Sequence, residues 1–67
     1  MAYFVGIDIG GTNTRLLTMN EHDEFIHREN ISTSYWSLTA DPLRTFSELI
    51  NRYLGQLDQR PMGVMLG

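Results

Sequence analysis

The sequence contains neither cysteine nor lysine, and these two absences exclude several kinds of functional site. Its 67 residues carry eight acidic side chains and five basic ones, and all five basic residues are arginine. Without cysteine there is no disulfide, no thiolate zinc site and no thiol nucleophile. Without lysine there is neither a Gly-Lys-Ser/Thr phosphate loop nor the strand lysine of a protein-kinase site.

Excess positive charge and long hydrophobic runs are also missing. The formal net charge of −3 argues against a protein that binds nucleic acid through phosphate contacts. No apolar run approaches the roughly 20 residues that a membrane span needs, and the opening residues lack the basic start of a signal peptide. We therefore expect a cytoplasmic protein with no nucleic-acid or membrane partner.

The small size of the chain limits the core that it can bury. A domain of about 60 residues buries only about 60% of its unfolded surface, and such domains usually depend on disulfides, metals or partners. His22 and His27 are not at a recognisable metal-ligand spacing. The chain is therefore predicted to be incomplete by itself and to form part of something larger.

Three short strands are predicted in the first half of the chain. Residues 3–9 are β-branched or apolar at nearly every position, which favours a strand buried on both faces. Residues 14–19 and 24–33 form the next two strands, separated by a polar turn at residues 20–23, so an antiparallel meander is the simplest arrangement. One face of the third strand is predicted to carry Phe25, His27, Glu29 and Ile31.

A helix is predicted to follow Asp41, which can cap it, with Pro42 at the first helical position. Apolar residues then recur at three- and four-residue steps, and the helix ends at Gly55 or Leu57. The resulting apolar stripe comprises Leu43, Phe46, Leu49, Ile50, Tyr53, Leu54 and Leu57.

The segments on either side of this helix are predicted to be a loop and a strand. Residues 34–40 form the loop, and their Tyr35-Trp36 pair is expected to pack onto the sheet. Residues 62–67 form a buried strand whose methionines fill the core. A strand–helix–strand crossover places this strand parallel to the first one, with the helix on one face of the sheet and nothing in this sequence to cover the other.

One segment, residues 6–15, concentrates the side chains suited to chemistry. It reads Gly-Ile-Asp-Ile-Gly-Gly-Thr-Asn-Thr-Arg and places the carboxylate of Asp8 at the end of a strand. The following glycine pair leaves backbone N–H groups unobstructed, and such a turn forms a concavity that binds anions. Thr12 and Asn13 can donate hydrogen bonds to phosphate oxygens, and Arg15 offers a bidentate fork. Because Asp8 suits a magnesium ion held through water, the segment predicts a metal–nucleotide site.

A purely structural explanation of the same segment is the alternative. Gly10-Gly11-Thr12-Asn13 could form a tight hairpin turn, since glycine and asparagine supply positive φ, and Asp8 could cap that turn. The dinucleotide fingerprint Gly-x-Gly-x-x-Gly is excluded, because the glycines are differently spaced and a strand follows instead of a helix.

The run Asp-x-Gly-Gly-Thr-x-x-Arg at residues 8–15 resembles the first phosphate motif of the superfamily of sugar kinases, actin and heat-shock-chaperone ATPases. It is most similar to the form in the ROK family (repressor, open reading frame, kinase), whose enzymes phosphorylate hexoses and N-acetylhexosamines. For residues 1–67 the resemblance implies an α/β fold, a ribonuclease-H-like (actin-like ATPase) half-domain. It would have three antiparallel strands, one helix and a parallel strand, and would be incomplete at this length.

The same resemblance implies ATP and Mg²⁺ as cofactors and a sugar as substrate. Asp8 would assist Mg²⁺ through water, and the ATP phosphates would be held by Gly10, Gly11, Thr12, Asn13 and Arg15. The family's catalytic base is an aspartate that lies beyond residue 67, so no residue of this chain is assigned that role. As the N-terminal part of a kinase small lobe, the 67 residues alone are expected to be inactive, with the remainder of the kinase chain or a homo-oligomer as partner.

Two further hypotheses come from other classes of protein. ROK regulators resemble the kinases but carry a DNA-binding helix-turn-helix ahead of the motif, and only five residues precede Gly6 here. The chain could also be a truncated fragment without catalytic activity, which is compatible with its belonging to a kinase.

Overall fold

The chain folds as a four-stranded mixed sheet with a helix packed on one face. The computed structural model describes residues 2–67, whose elements are β1 (Tyr3–Ile9), β2 (Asn13–Asn20), β3 (Phe25–Ser32), α1 (Ser34–Ser37), α2 (Pro42–Gly55) and β4 (Gly63–Leu66). The strand order is β3-β2-β1-β4, with β4 parallel to β1 and the other pairs antiparallel. The predicted meander and crossover are both confirmed. No helix within residues 2–67 is long and apolar enough to cross a membrane.

The core lies between the sheet and α2. One side of the sheet, called the covered face, buries Val5, Ile7 and Leu16 against Tyr53 of α2, and none of the four is more than 5% exposed. Alternate residues of a strand point to opposite sides, so this core fixes the orientation of each strand. Partly buried residues around it are Ile31, Phe46, Ile50, Leu54 and Leu57.

The helix α2 begins and ends where the sequence predicts. The Asp41 carboxylate accepts a hydrogen bond from the Arg44 backbone N–H at 3.2 Å, and Pro42 occupies the first position. The stripe is buried through Leu49 and Tyr53, but the prediction is wrong for Leu43, which is 80% exposed. At 100° per residue, Leu43 lies roughly 80° around the helix from Tyr53, at the margin of the stripe.

The opposite side of the sheet, called the open face, carries Phe4, Asp8, Arg15 and Leu17. Nothing in residues 2–67 covers it, as predicted. The expectation that β1 is buried on both faces is therefore wrong, since Phe4 is 47% exposed. A strand buried on both sides needs a second layer.

Strand β4 pairs with β1 as predicted, placing Val64 beside Val5 and Leu66 beside Ile7. The prediction that it is buried is wrong, because every residue of β4 is exposed, including Met65. It is one of the two edge strands, and the core cluster is built from β1, β2, β3 and α2. The methionines of this segment are therefore not core fillers in residues 2–67.

A β-bulge changes the pairing of β3. Thr18 of β2 lies opposite His27, whereas the next residue, Met19, lies opposite Phe25, so Ile26 is the extra residue. The prediction that Phe25 shares a face with His27 is wrong for this reason. Beyond the bulge, His27, Glu29 and Ile31 follow the covered face.

The predicted loop at residues 34–40 contains one turn of helix, α1. The local sequence does not predict this helical turn, because it is stabilised by contacts with residues that are distant in the sequence. The Trp36 ring lies 4.7 Å from the Phe46 ring of α2, centroid to centroid, and its Nε1 donates a hydrogen bond to Thr14 on β2. Packing of Trp36 onto the sheet is thus confirmed, while Tyr35 stays 52% exposed.

Removal of the Tyr53 hydroxyl is expected to lower the free energy of unfolding by about 1–2 kcal/mol. This hydroxyl donates to the His27 carbonyl at 3.2 Å, so the proton in its 2.7 Å contact with Thr18 comes from Thr18 Oγ1. Burial raises the pKa of Tyr53, which keeps the phenol neutral and able to donate. Tyr53→Phe leaves the buried Thr18 hydroxyl without its acceptor, and urea unfolding measures the cost.

Tyr35→Phe is the matched control, because its ring is half exposed and the change should stay within about 0.5 kcal/mol. Equal losses in the two variants would contradict the hydrogen-bond assignment at Tyr53.

Candidate functional site

The predicted site residues meet at the turn between β1 and β2, called the glycine turn (residues 10–13). Asp8 and Arg15 are direct cross-strand partners on the open face. Arg15 Nη2 lies 2.8 Å from Asp8 Oδ2, and both side chains are more than half exposed. The structure therefore places a carboxylate and a guanidinium side by side, next to the turn.

The backbone of the glycine turn differs from a primed hairpin turn. The Gly10 N–H donates to the Asn13 carbonyl at 2.8 Å and closes the turn. In residues 2–67 no glycine has positive φ. The one residue there with positive φ is Asp23, which lies in the next turn. Type I′ turns require positive φ at both central residues, and type II′ turns require it at the first. Positive φ therefore does not explain the glycines at positions 10 and 11.

Gly10 and Gly11 differ in the space that the surrounding protein leaves for a side chain. A Cβ on Gly10 would lie 3.0 Å from the Asn13 carbonyl oxygen, so a side chain there would force the turn to shift by a few tenths of an ångström. A Cβ on Gly11 would meet no atom within 4 Å. Nothing within residues 2–67 excludes a methyl group at Gly11, whereas a ligand lying against its backbone would.

Two backbone donors of the glycine turn are available to such a ligand. Within residues 2–67, the N–H groups of Gly11 and Thr12 have no hydrogen-bond acceptor. The carbonyl of Thr12, by contrast, accepts from the Thr33 N–H at 2.8 Å, which holds the turn in place. Successive unpaired N–H groups in a fixed turn bind anions.

A concavity of about 330 Å³ opens beside the glycine turn, lined by Asp8, Gly10, Thr12, Asn13, Arg15 and Asn30. Five of these six residues were predicted from the sequence. Asn30 was missed, although it lies directly opposite Arg15 in β3. Its place depends on the register beyond the bulge, which strand periodicity alone does not reveal.

The donor set fits a metal-bound phosphate better than a protein-held metal. In residues 2–67 no group of three or more His, Cys, Asp or Glu side chains could hold a metal ion. A single carboxylate beside backbone N–H donors and an arginine suits Mg²⁺ that keeps most of its ligands as water and phosphate oxygens. His27 lies elsewhere, with its ring 5.3 Å from that of Tyr53.

The sequence matches no protein-family profile and no curated protein. Solved structures do resemble it. A protein of Cytophaga hutchinsonii ATCC 33406 designated a sugar kinase superposes with a TM-score of 0.83 at 23% identity, over 98% of this chain and 22% of that one. The Ppx/GppA phosphatase of Aquifex aeolicus gives a TM-score of 0.69 at 18% identity, over 98% of this chain and 26% of that one.

This likeness is one of fold, because both identities are low. The chain spans about a quarter of the length of each of these two structures. Both have the actin-like ATPase fold, which confirms the predicted α/β class. Residues 2–67 form the strand, turn and helix arrangement of an actin-like ATPase half-domain.

Proposed function

We propose that residues 6–15 bind the phosphates of Mg·ATP in an ATP-dependent sugar kinase of the ROK type. The observation that carries this proposal is the glycine turn, where Gly11 and Thr12 present free N–H groups beside Asp8 and Arg15. The motif resemblance and the higher TM-score of the sugar kinase, compared with the phosphatase, support a kinase. The acceptor would be a hydroxyl of a hexose or an N-acetylhexosamine.

The chain's own groups would bind and orient the nucleotide. The Gly11 and Thr12 N–H groups would donate to phosphate oxygens, with the Thr12 and Asn13 side chains beside them. Asp8 would hold Mg²⁺ through water, and Arg15 would face the phosphates. When bound, Mg²⁺ neutralises phosphate charge during transfer of the γ-phosphoryl group.

The base that accepts the sugar proton would come from outside these residues. Within residues 2–67, the one carboxylate that lines the concavity is Asp8, and its assigned place is on the metal. The chain alone is therefore expected to transfer no phosphoryl group. The remainder of a kinase chain, or a second copy, would supply the base and the sugar site.

Gly11→Ala is expected to weaken binding of Mg·ATP about tenfold or more while leaving the fold intact. In this proposal the phosphates lie against the Gly11 backbone, where the new methyl group would obstruct them, although no atom of residues 2–67 lies within 4 Å of it. Because φ is not positive there, the substitution should be neutral or stabilise the chain by up to about 1 kcal/mol. Isothermal calorimetry with Mg·ATP and urea unfolding measure the two effects.

Gly55→Ala is the matched control, since its Cβ would also meet nothing within 4 Å but lies at the end of α2. It should leave binding unchanged. Equal affinity in wild type and Gly11→Ala would refute a phosphate site at the glycine turn.

A further inference from the structure

A one-way chain of hydrogen bonds runs from Trp36 to the glycine turn. Trp36 Nε1 donates to Thr14 Oγ1 at 3.0 Å, Thr14 and Thr33 Oγ1 are 2.9 Å apart, and Thr33 Oγ1 donates to the Gly10 carbonyl at 2.7 Å. A threonine hydroxyl has one proton. Because the Thr33 proton goes to Gly10, the bond between the two threonines takes its proton from Thr14.

Thr33 holds the glycine turn at two points. Its hydroxyl binds the Gly10 carbonyl, and its backbone N–H binds the Thr12 carbonyl at 2.8 Å. The Gly10 carbonyl belongs to the same peptide unit as the free Gly11 N–H, and the Thr12 carbonyl belongs to the peptide unit that follows the free Thr12 N–H. Thr14 is fully buried and Thr33 is only 9% exposed, so water does not readily replace these bonds.

Trp36 connects this chain of bonds to α2. Its ring packs on Phe46, and α1, which carries it, is joined to Thr33 by the Ser37 N–H at 3.0 Å from the Thr33 carbonyl. Aligned hydrogen bonds polarise one another, so such a chain is stiffer than its separate pairs. The position of the glycine turn is thereby tied to the helix layer.

We propose that Thr33 and Trp36 are positioning residues of the glycine turn, which act on it through Thr14 and Gly10 without touching the ligand. Their contribution to phosphate affinity rests on the proposed function, whereas their effect on the order of the turn does not. The two parts are therefore tested by separate measurements on the same chain.

Thr33→Val removes the hydroxyl at nearly constant volume, and Thr33→Ser retains it as the control. The Gly10 N–H is hydrogen-bonded within the turn, so its hydrogen exchange measured by NMR reports local opening. In Thr33→Val we expect Gly10 to exchange about tenfold faster relative to Leu16 in the core. General destabilisation would accelerate both amides alike, and an unchanged ratio would overturn the proposal.

Trp36→Phe provides a second variant in case Thr33→Val does not fold. It keeps a ring against Phe46 but removes the N–H donor at the start of the chain of bonds. The ratio of Gly10 to Leu16 exchange should rise again, by about threefold, because Thr33 still holds the turn. If the ratio does not move in this variant, Trp36 has no positioning role.

Titration with inorganic tripolyphosphate and Mg²⁺ tests the functional part. Thr33→Val should bind about tenfold more weakly than wild type, and Thr33→Ser should bind about as well as wild type. If wild type binds no tripolyphosphate while the exchange result holds, the proposed function fails and the positioning role stands. If binding is equal in the valine and serine variants, the link between turn order and affinity is wrong.

Discussion

Leu16→Ala is expected to lower the free energy of unfolding enough to leave roughly half of the molecules unfolded at room temperature. Leu16 is fully buried in the core, on β2, which is one of the two interior strands of the sheet. Truncating a buried leucine costs about 3 kcal/mol, because the lost contacts are followed by a cavity that relaxes only in part. A chain of this length has a stability of roughly 3–10 kcal/mol, and small size favours the lower end.

Leu17→Ala is the matched control, since it makes the same change one residue later on the open face. The Leu17 side chain is only half buried, so its truncation should lower the free energy of unfolding by much less than that of Leu16 does. Far-UV circular dichroism with urea titration measures both variants. A larger loss at Leu17 than at Leu16 would mean that the two faces have been assigned the wrong way round.

Asp8→Asn is expected to have opposite effects on two forms of the same ligand. Binding of Mg·ATP should weaken about 10–100-fold, the usual cost of removing a group that orients a metal's ligands. Binding of metal-free tripolyphosphate should strengthen about fivefold, because a repelling charge is gone and Arg15 is released from its 2.8 Å ion pair. Calorimetry with and without Mg²⁺ gives both constants.

Glu48→Gln is the control for this prediction. Glu48 pairs with Arg44 at 3.1 Å on the exposed side of α2, so the variant removes one carboxylate from a similar surface pair. Neither ligand should respond to it. If Asp8→Asn changes both affinities in the same direction, Asp8 does not act through the metal.

The elements of this fold could be predicted where the local sequence determines them. The apolar run at residues 3–9 defined β1, and Asp41 with Pro42 defined the start of α2. The parallel placement of β4 followed from the crossover connection, in which a strand, a helix and a second strand of the same sheet follow one another along the chain. Each of these depends on short-range patterns or on chain connectivity.

Features that depend on distant contacts could not be predicted. The turn of helix at α1 is held by Trp36, whose partner Thr14 lies 22 residues earlier. The exposure of β4 depends on where α2 lies across the sheet, which hydrophobicity does not specify. In the site, the residues of one motif were recognised together, but Asn30 joined it through the pairing of β3 with β2, and Thr33 through hydrogen bonds to the turn.

The bulge at Ile26 determines whether an acidic or a neutral side chain of β3 faces the site. Pairing outward from the turn puts Phe25 opposite Met19, and that register, continued unbroken, would set Glu29 opposite Arg15. The extra residue moves the strand by one position, so the neutral amide of Asn30 faces the concavity and Glu29 turns to the other side. This single inserted residue therefore keeps a second acidic side chain away from the groups proposed to attract phosphate.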